Sequence, residues 1–309
     1  MRTLTHIFFC ILAILWYRLI WGFSAQTASV SGGTSDGLMD GLLSRLCPSY
    51  LMADVEIRYA ASEILSFFLR KGAHMFLYFV LGVLVWVALS SLPRLRRGGM
   101  TVLLCAILAG LDEYHQTLVP GRSGEVRDVL IDCSGVILAL ILFALPMVAP
   151  RVRQSPTLSR LLWPTTGAVM AGLLILALLS TSPFPPFVHR AEQLDGFLTL
   201  TTTEQTALLH GVAPILREAL FLFLCGATGF SMVYTGRLSG GWMKSLVASI
   251  TALVLMGFCS AIWNLPILPA LLLSGGASFM GAVFWSLFSL RKPSCCPSSE
   301  HHNKSRNPT

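Results

Sequence analysis

Residues 70–89 read RKGAHMFLYFVLGVLVWVAL, a basic pair followed by an almost unbroken apolar run. The run is long enough to cross a hydrocarbon core of about 30 Å, because an α-helix rises about 1.5 Å per residue. Backbone polar groups in lipid must be satisfied within the segment itself, which favours a helix over an open strand. The stretch therefore predicts a membrane-spanning helix with Lys71 and His74 at one end.

The rest of the chain has the same apolar character. Its 309 residues are 54% hydrophobic and only 12% charged, whereas roughly a quarter of the residues in soluble domains are charged. A single soluble core is excluded, and the predicted fold class is an all-α polytopic bundle of about eight transmembrane helices. The apolar stretches that predict the spans are 7–23, 73–92, 100–118, 129–150, 161–181, 208–233, 245–263 and 267–290.

The basic residues predict the orientation of these spans. Thirteen of the 22 Lys and Arg residues follow the second, fourth and sixth stretches or lie at the chain ends. In all of these segments together, Glu300 is the only acid. Cytoplasmic loops carry the excess of Lys and Arg, so both termini are predicted to be cytoplasmic. Arg18 and the lack of a small-x-small cleavage site favour an uncleaved first span over a signal peptide. The net charge of +7 thus reflects topology, and nothing indicates nucleic-acid binding.

Two longer connections are predicted on the outer side. Residues 24–72 begin with the Ser/Gly/Thr-rich run SAQTASVSGGTSDG, which predicts a loop, and continue with a short amphipathic helix at 37–46. Their apolar end at 60–69 is predicted to extend the second span outward. Residues 182–205 begin with SPFPP, which should end the fifth helix, because proline disfavours helix before it and cannot donate within it.

Polar residues gather at the predicted outer end of the third span, within LDEYHQTLVPGR (111–122). Helical spacing places Asp112, His115 and Gln116 on one face, with Glu113 to the side. Ionisable groups at the membrane edge are expensive to bury, so each requires a partner or a purpose.

The neighbouring spans contribute further polar groups at the same end. The fourth span starts with VRDVLIDCSG, which puts Asp128 and Asp132 one turn apart on one face. Lys71 and His74 form an i, i+3 pair at the start of the second span. The first span ends at Ser24 and Gln26, so all four spans contribute to one predicted cluster.

Three interpretations of this cluster are open. A structural network would pair each acid with Lys71, Arg122 or Arg127, because an unpaired buried charge is costly. A substrate site would use a carboxylate or imidazole as general base, with Arg122 and Arg127 clamping an anion. A metal site is the sharper variant, but the spacing matches no recognised zinc motif, so no metal is assigned and the cofactor is unknown. Its candidate ligands are His74, His115, Asp112, Asp128 and Asp132.

These residues resemble the VanZ-like family, which is named for a teicoplanin-resistance protein. The resemblance covers about residues 1–150 and departs at Met75 and Leu77, where the family more often has Phe and Glu. The matching segments are FSAQ (23–26), RKGAHMFLYFVLG (70–82) and LDEYHQTLVPGRSGEVRDVLIDCSG (111–135).

The resemblance implies a multi-pass protein of the bacterial inner membrane and cell envelope that influences teicoplanin susceptibility. Together with the clustering it defines a hypothetical site. The candidate catalytic residues are Asp112, His115, Asp128 and Asp132, and the candidate substrate-binding residues are Ser24, Gln26, Lys71, His74, Glu113, Gln116 and Arg122.

The predicted domains are a VanZ-like four-helix membrane domain at 1–150, a second four-helix membrane region at 151–292 and a disordered cytoplasmic tail at 293–309. The second region has no comparable signature. Its segment REALFLF (217–223) stands where RKGAHMF stands in the first, which suggests two distantly repeated, parallel halves.

Three function classes follow. The first is binding or modification of an anionic, lipid-linked or cell-wall substrate at the outer leaflet. The alternatives are a transporter or flippase for an envelope precursor and a structural membrane subunit. Predicted partners are the lipid bilayer and the anionic substrate, with no nucleic acid. The sequence does not decide whether the protein is an enzyme.

Overall fold

The computed structural model describes residues 2–179, 185–194, 196–240, 242–263 and 265–289, and within these ranges all regular secondary structure is helical. A single 3₁₀ turn occupies Phe197–Thr199. The α-helices are α1 (Arg2–Ser24), α2 (Ala28–Leu46), α3 (Pro48–Met52), α4 (Val55–Ala88), α5 (Arg94–Gln116), α6 (Val126–Gln154), α7 (Pro156–Leu179), α8 (Pro185–Ala191), α9 (Thr202–Gly240), α10 (Trp242–Trp263) and α11 (Ile267–Ser289).

The all-α bundle is confirmed, and each predicted apolar stretch lies mainly in a helix, although 73–92 and 100–118 run past the ends of α4 at Ala88 and of α5 at Gln116. Five helices, α1, α4, α7, α9 and α11, are long and apolar enough to cross a membrane. The motif charges of α5 and α6 shorten the apolar part of those two helices. The protein is thus a multi-pass membrane protein, while the count of eight spans and their orientation stay predictions.

Helix α4 is the centre of the first half, with α1, α5 and α6 packed around it. Gly135 of α6 faces the backbone of α4 so closely that a Cβ atom there would overlap the carbonyl oxygen of Met75. Two polar side chains tie α1 to its neighbours: the Trp16 indole donates to the Leu77 carbonyl at 2.9 Å, and the Tyr17 hydroxyl donates to the Leu108 carbonyl at 3.0 Å. These bonds therefore hold α1 in a fixed position against α4 and α5.

Helix α9 has the same central place in the second half, where α7, α10 and α11 pack around it. A parallel repeat of two four-helix halves would give this arrangement, with α9 in the place of α4. The halves meet where α9 contacts α4 and α6, and Tyr234 donates to the Leu142 carbonyl across this contact at 2.6 Å. The domain boundaries stay a prediction.

The predicted loop at the start of residues 24–72 is wrong. Most of the Ser/Gly/Thr-rich run belongs to α2, because the hydroxyls of Thr34 and Ser35 donate to carbonyls one turn earlier and α2 packs against α4. The amphipathic helix predicted at 37–46 is confirmed as the second part of α2. The outward extension of the second span is also confirmed, since α4 begins at Val55.

The short helix α3 is attached to the second half. The carboxylate of Glu218 accepts hydrogen bonds from the backbone N–H of Ser49 at 3.2 Å and from its hydroxyl at 2.5 Å. Burial, together with the nearby charge of Glu218, raises the pKa of Cys47 to about 12. Cys47 and Cys133 are both free thiols.

The break predicted at SPFPP falls partly outside the described residues. Helix α7 ends at Leu179, and α8 begins at Pro185, a position that proline tolerates because the first helical N–H has no partner within the helix. The predicted cytoplasmic tail at 293–309 also lies outside the described ranges.

Candidate functional site

The structure brings the polar ends of α1 and α5 and the polar start of α6 together beside Lys71 and His74 in the middle of α4. Asp112 is fully buried there, and its Oδ2 accepts a hydrogen bond from the Ser24 hydroxyl at 2.7 Å. The amide of Gln116 donates to the same oxygen at 3.3 Å and to Glu113 Oε1 at 2.8 Å. This network joins α1 to the last turn of α5.

Glu113 connects α5 to the start of α6. Its Oε2 accepts a hydrogen bond from the backbone N–H of Glu125 at 2.9 Å. The approach requires a glycine at Gly124, where a Cβ would lie 2.7 Å from the Glu113 carbonyl oxygen, and Gly121 turns the chain with a φ of 77°. Glu113, which was predicted to lie to the side of the face that carries Asp112, thus faces the α5–α6 connection, whose backbone supplies a donor.

His115 was predicted to share a face with Asp112 and Gln116, and it lies against α1, as Asp112 does through Ser24. Its ring stacks on Trp21 of α1, with centroids 4.0 Å apart and planes 21° apart. The last turn of α5 therefore splits its polar groups, with Gln116 toward the cavity and His115 toward α1. A tryptophan one turn before the end of α1 was the sequence feature that could have suggested this stacking.

Helices α4 and α6 face each other through two pairs of ionisable residues. Lys71 donates to Asp128 in a short ion pair. One turn deeper, Nδ1 of His74 lies 3.9 Å from Oδ1 of Asp132. Asp132 is only 1% exposed, and neither of its carboxylate oxygens has a hydrogen-bond partner among the described residues. Buried polar atoms are nearly always hydrogen-bonded, so a carboxylate in this state is a candidate for contacting a ligand.

A cavity of about 830 Å³ lies between α2, α4, α6 and the α5–α6 connection. Ser24, Asp112, Glu113 and His115 do not line it, and the first three are buried behind its wall. The predicted site residues that line it are Gln26, Lys71, His74, Gln116, Arg122, Asp128 and Asp132.

Two cations and one hydroxyl at this site were not predicted from the sequence. Arg70 lines the cavity, donates to the Ser35 hydroxyl at 2.9 Å and lies 3.8 Å from Asp36. Arg190 of α8 lines it from the second half. Tyr78 is fully buried one turn after His74, and its hydroxyl has no partner in the described part of the chain. Its i+4 spacing from His74 could have identified it.

Arg122 differs from Arg70, Lys71 and Arg190 in its partners. One guanidinium nitrogen donates to Gln116 Oε1 at 3.0 Å, and Arg122 forms no ion pair with any carboxylate of the described residues. Arg127, by contrast, is exposed and pairs with Glu125 at 2.8 Å. No group of three or more His, Cys, Asp or Glu side chains within the described ranges has an arrangement that could hold a metal ion.

Comparison with known proteins gives one finding for this chain. No curated protein and no solved structure matches it. The family model described as VanZ/LLP1 matches residues 9–147, a range that contains α1, α4, α5 and the motif-bearing part of α6. The resemblance of the N-terminal half of this membrane protein to the VanZ-like family is therefore confirmed.

Proposed function

We propose that this protein binds an anionic, lipid-linked substrate of the cell envelope in the cavity of its VanZ-like half. The observation that carries the proposal is the presence, in one cavity, of Arg122 without a carboxylate partner and of Asp132 without a hydrogen-bond partner among the described residues. A cation and a carboxylate left uncompensated in one cavity favour a ligand that has both an anionic group and a donor.

Arg122 is suited to hold the anion. Because Gln116 fixes one of its nitrogens and is itself held by Asp112 and Glu113, the guanidinium is oriented before a ligand arrives. An arginine fork matches phosphate oxygens with two parallel hydrogen bonds. The proposed role of the buried Asp112 network is thus to position Arg122.

An apolar wall supports a lipid-linked substrate. Phe23, Phe67, Leu69, Phe76 and Leu77 line the same cavity as the charged groups. Phe23 and Phe76 remain 48% and 56% exposed, which on a membrane helix means contact with lipid. A ligand with a phosphate group and a hydrocarbon chain would match both surfaces.

His74 and Asp132 would supply acid–base chemistry if the substrate is modified. Their separation of 3.9 Å exceeds a normal hydrogen bond, so a substrate hydroxyl or water could be accepted between them. Asp132 would take the proton as general base, and His74 would orient the group that donates it. Asp128 would hold Lys71 beside the anion.

The proposed setting is the outer leaflet of the bacterial inner membrane, and the proposed consequence is altered susceptibility to teicoplanin, as the family resemblance suggests. Transport is the weaker alternative, because transport sites usually lie near the bilayer midplane on broken helices. The cavity here lies at the ends of α1, α5 and α6, and α4, which passes beside it, is an unbroken helix.

The binding proposal predicts that Arg122→Gln weakens binding of a polyprenyl monophosphate in detergent micelles by about 10-fold to 100-fold, as expected when a hydrogen bond to a charged group is lost. Calorimetric titration of the purified full chain measures this. Arg127→Gln is the matched control and should bind like the unaltered protein, because Arg127 pairs with Glu125 and does not line the cavity.

Free inorganic phosphate, titrated in parallel, tests the apolar wall. We expect the prenyl chain to strengthen binding well beyond that of phosphate alone. Equal losses in the two variants, or no binding of either probe to the unaltered protein, would contradict the proposal.

A further inference from the structure

We infer that Arg190, which lies outside the family match, is a further substrate-binding residue of this cavity, so that the anionic headgroup is held by both halves of the protein. The inference rests on the proposed function and extends it to residues 151–309. It assigns a role in binding to a part of the chain that carries no motif of its own.

Helix α8 is anchored so that Arg190 faces the VanZ-like half. Phe187 packs edge-on against Phe68 of α4, with ring centroids 5.1 Å apart, and Ala191 is buried in the adjoining core. The guanidinium of Arg190 lies over the ring of Phe67, 4.8 Å from its centroid. Because Phe67 also lines the cavity, this stacking keeps the cation at the cavity wall.

The donors of Arg190 are incompletely used. One terminal nitrogen is 3.4 Å from Glu63 Oε1, and the other is 3.4 Å from Gln193 Oε1, both at the long limit of a hydrogen bond. Its Nε is buried without a hydrogen-bond partner among the described residues. A stacked, half-satisfied guanidinium at a cavity wall is suited to receive phosphate oxygens.

The charge balance of the cavity supports the same ligand. Among the described residues, four cations line it, Arg70, Lys71, Arg122 and Arg190, against the three acids Glu125, Asp128 and Asp132. Arg70 lies within electrostatic range of both Arg122 and Arg190 as well as of Asp36 and Glu63. Like charges collected in one cavity repel each other, and an anion between them removes that repulsion. An anionic headgroup with several oxygens would therefore contact cations from both halves.

Three substitutions separate binding from a mere link between α8 and α4. Arg190→Gln should weaken binding of the polyprenyl monophosphate by about 10-fold, because one charged donor is lost. Glu63→Gln should leave affinity unchanged or raise it a few-fold, because it frees Arg190 and removes a negative charge near the anion. His189→Gln is the matched control on α8, since His189 is 71% exposed and, among the described residues, pairs only with Glu192 and Gln193.

If Arg190 only links the helices, Glu63→Gln and Arg190→Gln will lower both affinity and thermal stability alike, and the inference is overturned. If Arg122→Gln loses affinity while Arg190→Gln binds normally, the inference fails and the proposed function stands. If the unaltered protein binds no polyprenyl monophosphate, the proposed function itself fails and the inference with it. A loss in Arg190→Gln together with normal or tighter binding in Glu63→Gln confirms it.

Discussion

Asp132→Asn should remove the effect of this protein on teicoplanin susceptibility while leaving the protein folded and as stable as before. If Asp132 is a general base, the substitution costs about 10²-fold to 10⁴-fold in rate, since the amide cannot accept the proton. Folding should not suffer, because neither carboxylate oxygen has a hydrogen-bond partner among the described residues. The measurements are teicoplanin inhibitory concentration in an expressing, susceptible host and thermal unfolding of the purified protein.

The two readouts distinguish a functional carboxylate from a structural one. A group that stabilises the bundle would lose stability on conversion to Asn, whereas a buried charge without partners would lose none or gain some. Asp54→Asn makes the same chemical change at an exposed position whose side chain makes no capping hydrogen bond. That control should match the parent in both measurements. A destabilised Asp132→Asn with unchanged susceptibility would assign Asp132 to the structural network instead.

Gly135→Ala should produce the largest loss of stability of any single methyl addition to the first half. The new Cβ would overlap the carbonyl oxygen of Met75, which belongs to the backbone of α4 and cannot rotate away. Overpacking typically costs about 1–3 kcal/mol, and a backbone clash belongs at or above the upper limit of that range. Unfolding in a denaturing detergent, followed by circular dichroism, measures the difference.

Gly72→Ala is the matched control, because a Cβ at Gly72 meets nothing within 4 Å. It should be neutral or mildly stabilising, since alanine favours helix over glycine. Gly135→Ala should also weaken binding of the polyprenyl monophosphate, because separating α4 from α6 moves Lys71 from Asp128 and His74 from Asp132. Equal stability of the two variants would show that α4 and α6 are not packed this closely.

The family motif thus contains residues of three physical kinds. Gly124 and Gly135 allow close backbone approach, and Ser24 and Asp112 form a buried network behind the cavity. Residues of the third kind carry the ionisable groups that line the cavity. They are Lys71, His74, Arg122, Asp128 and Asp132.

Much of this arrangement follows from the sequence, because a hydrocarbon solvent leaves the backbone few choices. Apolar runs of spanning length predicted the helices, and the motif residues at the ends of 70–89 and its neighbours predicted one polar cluster. Spacing of one turn placed Lys71 with His74 on one helix face and Asp128 with Asp132 on another, and left open which of them pair. These features depend on local periodicity and helix length alone.

The tertiary structure decided what periodicity could not. The partners of Glu113 and His115 were not predicted, because the returning chain at Glu125 supplies the donor to one and Trp21 of α1 the aromatic ring beside the other. The run at the start of α2 became helical because α4 offers it a surface. Arg190 joined the cavity through packing of α8, far from it in sequence. Contacts between distant segments fix these positions, and a single sequence carries no record of which distant segments meet.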